Sequence, residues 1–103
     1  MSDKLPRPYQ NFMEKFPEVG KSYQALGEAV HAAGPLDEKT RALIKLAVSV
    51  GGQTEGAVHA HTRKALKAGV SADEIRHAVL LSLPTIGFPR MMAALSWVND
   101  VLE

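Results

Sequence analysis

The chain has 103 residues, 46% of them hydrophobic and 22% charged, and a net charge of +1. That size suits one domain, and the composition is that of a folded protein rather than a disordered one. Twelve Lys and Arg against eleven Asp and Glu, with no run of like charge, argue against nucleic-acid binding, and the absence of cysteine excludes disulfides, thiolate metal ligands and chemistry on the protein's own thiols. No apolar run approaches the roughly 18–20 residues of a membrane span, and "MSDKLPRPYQ" lacks the apolar centre of a signal peptide, so a cytoplasmic location without membrane attachment is expected.

In chain order, residues 1–17 are expected to form an N-terminal arm or short helix, carrying Tyr9, Phe12, Met13 and Phe16. Residues 18–33 are Ala-rich and end at Gly34-Pro35, a helix stop. Asp37 is placed to cap the next helix, in which Leu43, Ile44, Leu46, Ala47 and Val50 gather on one side at about 100° per residue. Lys45 falls on the opposite side and is expected to be a solvated flank. Thr54 opens a helix running to Gly69, and "SADE" at 71–74 is a capping-box signature for the one after it. That helix, "EIRHAVLLSL", is apolar nearly all round, which predicts burial on several sides and, in so short a chain, partner subunits. A last helix starts near Pro89 and carries Met91, Met92, Leu95, Trp97, Val98, Val101 and Leu102, a core or interface stripe. No strand pattern occurs, and the fold class expected is an all-α bundle of about five to six helices in a single domain, 1–103, assembled as a homo-oligomer.

The histidines of "TEGAVHAH" (54–61) stand two apart, which on a helix turns their rings about 160° from each other. A two-histidine chelate is therefore not expected, and no metal or cofactor is predicted. His59 shares a face with Glu55 and Arg63, four residues either side, and is expected to make a solvated i,i+4 contact. His61 projects with Thr54, Ala57, Val58, Ala65 and Ala68. These residues, nearly all smaller than leucine, allow either a packed, hydrogen-bonded imidazole or a general acid or base in a cavity wall. His77, four residues after Asp73, and His31, at a helix end, have ordinary structural explanations.

Residues 36–95 resemble the carboxymuconolactone decarboxylase and alkylhydroperoxidase D-like superfamily. The most specific part is His61 followed by Ala65, Gly69, Glu74 and Ile75, with "GFP" at Gly87 to Pro89 similar to the family's later Gly-x-Pro. The resemblance implies a small all-α protein assembling with itself, as a hexamer or trimer. Its peroxidase branch carries Cys-x-x-Cys-x-x-x-His and a glutamate on the preceding helix. Those positions are Thr54, Ala57 and Ala42 here, so thiol peroxidase activity is not expected. The decarboxylase branch needs no cysteine, and by resemblance His61 is the catalytic acid/base. Two positions depart from that branch: His77 stands where glutamate is frequent, and Thr85 where an aromatic residue often precedes Gly-x-Pro. The leading expectation is a protein binding a small organic acid or lactone, with lyase-type chemistry at His61 and with Thr54, Glu74 and Arg90 as substrate contacts. Ala42 and Ala57 would shape the pocket. The alternative is a non-catalytic binding or assembly protein that keeps the fold without its redox site.

Overall fold

The computed structural model describes residues 5–103, and the described residues form seven helical segments and no strand. They are α1 (Arg7–Lys15), α2 (Pro17–Ala32), α3 (Glu38–Gly51), α4 (Glu55–Lys67), α5 (Ala72–Leu80), the single turn α6 (Leu83–Ile86) and α7 (Phe88–Leu102). The all-α expectation holds among the described residues; of the stretch 1–17, expected as an arm or short helix, Arg7–Lys15 is helical and residues 1–4 lie outside the described residues. The chain divides into two compact units after Pro35.

The first unit is a pair of helices. Proline at the start of both α1 and α2 suits positions whose N–H has no intrahelical partner. Phe12 and Phe16 pack as a tilted pair, with ring centroids 5.4 Å apart and 43° between the ring planes. Gly20 is buried against Met13, and a Cβ there would stand 2.5 Å from the Met13 sulfur, so a larger residue would make the end of the Met13 side chain move aside. On α2, Val19, Tyr23, Leu26 and Val30 recur at helical spacing and stay exposed.

In the second unit local chemistry fixes where each helix begins and ends. Asp37 Oδ1 accepts the Thr40 N–H at 2.8 Å, the N-cap expected for α3, and this hydrogen bond holds its carboxyl below the usual range. Ser71 and Glu74 close the capping box of α5: the Glu74 N–H donates to Ser71 Oγ and the Ser71 N–H to Glu74 Oε1. Between them, α4 ends in a Schellman motif, the Val70 N–H reaching Ala65 O and the Gly69 N–H reaching Leu66 O, both at 3.0 Å. The positive φ of Gly69, 95°, is the left-handed conformation that this motif demands.

The α5 helix is shorter than expected, stopping at Leu80 rather than continuing through Leu83. Pro84 supplies the reason, because its ring would collide with the carbonyl four residues earlier, that of Leu80, and it has no N–H to donate. The chain turns at Leu81 and Ser82 and restarts as α6, with Pro84 in its first turn.

The core of this unit joins Leu46 and Val50 of α3, Val58 and Ala65 of α4, Ile75 and Val79 of α5, and Met91, Ala94 and Val98 of α7, with Val70 from the α4–α5 turn. Helix α4 packs against both α3 and α7. Two polar side chains are buried with them and both are satisfied: Thr62 Oγ1 donates to Val58 O and Ser49 Oγ to Leu46 O, each at 2.7 Å. Replacing Ile75, fully buried, by alanine is expected to cost about 2–5 kcal/mol through lost burial and a residual cavity. Ser71→Ala, which removes only the cap, is expected to cost about 1 kcal/mol. Urea unfolding followed by circular dichroism checks both, and equal losses in the two variants would contradict this division between core and cap.

Candidate functional site

The site is set by the buried face of α4. Val58, Thr62 and Ala65 are completely shielded and lie on one side of the helix. At about 100° per residue, His61 flanks that face on one side and His59 on the other. The two imidazoles therefore meet different neighbours.

His61 is half-buried, and its pKa is lowered to about 4, first by desolvation and then by the charges of Lys64 and Lys45. The ring is thus a neutral imidazole at physiological pH, a proton acceptor rather than a resident cation. Lys64, one turn along α4, is also lowered, by desolvation and by the charges of Lys45 and Arg63. Lys45 belongs to α3, and this corrects its sequence assignment: it is half-buried and close enough to His61 to act on its charge, not a solvated flank. The α3–α4 packing brings it there, a relation between two helices that the periodicity of one helix does not contain.

His59 is likewise not a simple i,i+4 surface contact. Its Nε2–H donates to Asp100 Oδ2 at 2.9 Å, linking α4 to the last turns of α7. The partner lies 41 residues away in sequence, beyond the reach of any local pattern.

The other predicted site residues are placed as follows. Thr54 is the exposed residue before α4. Its hydroxyl donates to Gly52 O at 3.3 Å and leaves the helix's first amides uncapped by a side chain. Ala57 is half-buried on α4, and Ala42 packs against the core from α3. Glu74 lies exposed at the head of α5 with its carboxylate engaged by the Ser71 N–H, which lowers its pKa, and Lys39 adds to the shift. Arg90 is exposed in the first turn of α7, and its carbonyl accepts a hydrogen bond from Gln53 Nε2 at 3.0 Å. Gln53, the non-glycine residue with positive φ (54°) among the described residues, also donates to Val50 O at 2.9 Å. It ties the α3–α4 turn to the start of α7, a positioning role that its sequence context did not signal.

An open groove of about 420 Å³ lies on the second unit, lined almost entirely by apolar atoms of α3, α5 and α6, among them Leu43, Ile44, Ala47, Leu81 and Ile86. Thr85 lines it, and His61, Ala42 and Ala57 do not.

With this geometry in hand, comparison with known proteins adds two findings. An uncharacterized protein of Haemophilus influenzae is 42% identical over 52 residues, a segment covering 50% of this chain and 46% of that protein, so the match spans less than half the relative's length. The model of the carboxymuconolactone decarboxylase family matches residues 17–100, from the start of α2 almost to the end of α7. This is wider than residues 36–95, which carried the resemblance in sequence, and it takes in the whole of α2. An all-helical fold, matched by the family model over residues 17–100, places the chain in the carboxymuconolactone decarboxylase family.

Proposed function

We propose that this chain is a carboxymuconolactone decarboxylase-like protein that binds a small organic acid or lactone beside His61, where the imidazole acts as the acid/base group of a lyase-type reaction. The observation that carries this reading is the environment of His61: a half-buried, neutral imidazole with Lys45 and Lys64 close enough to depress its pKa. A substrate carboxylate relieves the repulsion among these cations and is attracted by them in a partly desolvated place, where charge interactions are strengthened. The neutral ring then accepts a proton in one half of the reaction and returns it, as imidazolium, in the other. Thr54 and Arg90 are proposed as further substrate contacts through a hydroxyl and a guanidinium, and Ala42 and Ala57 as residues that leave room where a redox relative carries reacting groups. Glu74 enters this reading mainly as the residue that fixes the head of α5, because its carboxylate is engaged in the cap. With no cysteine in the chain, the reaction uses no protein thiol.

A second reading, a binding or assembly protein without chemistry, draws on different observations. The groove does not include His61, and Val48 (70% exposed), Leu80, Leu81 and Phe88 leave apolar surface on the second unit, as the α2 stripe does on the first. Both readings include self-association into a homo-oligomer, proposed as a trimer or hexamer, that covers such surface.

Three outcomes test these proposals. Thermal-shift screening of small mono- and dicarboxylic acids and lactones is expected to find ligands that raise the melting temperature. Their affinity should fall about tenfold or more in His61→Gln, the loss expected for a charge-assisted hydrogen bond. Ligands that bind His61→Gln as well as wild type would remove His61 from the site.

The pH dependence of stability follows from the same ring. Its pKa is lower in the folded chain (about 4) than the ordinary 6.5, so between these values the unfolded state binds the extra proton. The contribution of His61 to stability is complete above about 6.5 and is lost as pH falls toward 4. Urea unfolding at a series of pH values should show wild type losing more stability than His61→Gln across this window, and parallel curves would contradict it.

For assembly, Leu81→Glu is expected to lower the mass measured by light scattering without loss of helicity. An unchanged mass would take Leu81 out of the interface.

A further inference from the structure

We propose that Glu55, His59 and Asp100 form a binding site for one divalent transition-metal ion, separate from the surroundings of His61. The donor atoms of the three side chains all lie within 4.8 Å of one another. Donors around a tetrahedral ion bound at about 2.0–2.2 Å stand roughly 3.3–3.6 Å apart. Closing the set from a spread of 4.8 Å thus asks for a movement of roughly 1–1.5 Å, which a change of rotamer in the exposed Glu55 side chain supplies.

Three features favour an ion over a chance gathering of polar groups. Glu55 and His59 are four residues apart on α4, so one helix face presents both donors in the same direction. Asp100 comes from α7, the helix packed against α4, so the framework that brings the third donor in is the protein core rather than a loop. The half-buried His59 ring is already held with Nε2 at 2.9 Å from Asp100 Oδ2, and an ion takes the place of the proton between them. Two carboxylates balance the charge of a divalent cation. One imidazole nitrogen with two carboxylate oxygens suits zinc, cobalt or manganese rather than the all-oxygen preference of calcium or magnesium. Three protein donors leave coordination positions for water or an exogenous ligand.

This differs from a His-x-His chelate, because His61 points to the other flank of α4 and takes no part. The third donor was not visible in the local sequence, where Glu55 was the sole acid within a turn of His59.

The test is titration of chelator-treated, full-length protein with Zn²⁺ by calorimetry and with Co²⁺ by visible absorption. One equivalent of each is expected to bind, with a rise in melting temperature. Glu55→Gln and Asp100→Asn should each weaken binding about tenfold or more, while His61→Gln leaves it within about twofold. Glu55 is exposed in the first turn of α4, so its variant keeps the test decisive even where Asp100→Asn impairs folding. Absence of saturable one-to-one binding would overturn the proposal. So would binding that survives Glu55→Gln unchanged, or binding that is lost in His61→Gln.

Discussion

The packing of α4 between α3 and α7 is the constraint on which the rest of the second unit depends. Val58, Thr62 and Ala65 are fully shielded, and their burial fixes the rotation of the helix about its own axis. Once that angle is set, the helical repeat leaves no freedom in where the two imidazoles emerge. His61 meets Lys45 of α3, and His59 meets Asp100 of α7. A rotation of one residue step would bury an imidazole in place of a small side chain and leave a buried polar ring needing a partner. Thr62 shows how a polar group is admitted into this seam: its hydroxyl returns a hydrogen bond to Val58 O of its own helix and asks nothing of the neighbour.

The two flanks have opposite electrostatic character. Around His61 desolvation disfavours the protonated form of the ring, and the charges of Lys64 and Lys45 add to that effect. Around His59 the neighbour is a carboxylate, and the ring is held as a donor to it. One helix thus presents a proton acceptor near cations and, about 160° away, a ligand-type imidazole near anions. The first arrangement suits an anionic organic molecule and the second suits a cation, and neither needs the sulfur chemistry that the chain has no cysteine to perform.

Features written in adjacent residues were legible from sequence. The Asp37 cap, the Ser71–Glu74 capping box and the stop at Gly69 are each completed within five residues, and each appears in the structure as read. The family itself was legible because the spacing of His61, Ala65, Gly69 and Glu74 lies along one stretch of chain. What failed to be legible depends on contacts between helices. Lys45 looked solvent-facing from α3 alone, because its periodicity says which side is apolar and not how closely α4 approaches the flank. Asp100 as the partner of His59, and Gln53 as a tie to Arg90 O, join residues 41 and 37 positions apart. The end of α5 is a local matter, since Pro84 acts on the carbonyl of Leu80, but the apolar run continues through Leu83 and so masks that stop in the sequence.

His61 is a neutral imidazole at physiological pH because it is partly desolvated and lies beside Lys64 and Lys45. Titration of the His61 ring resonances by NMR tests this most directly, with His61→Gln providing the assignment. A midpoint near 4 is expected, as the surroundings of the ring require, with a rise when Lys45 is replaced by methionine. A midpoint at or above the ordinary 6.5, unaffected by Lys45→Met, would contradict it.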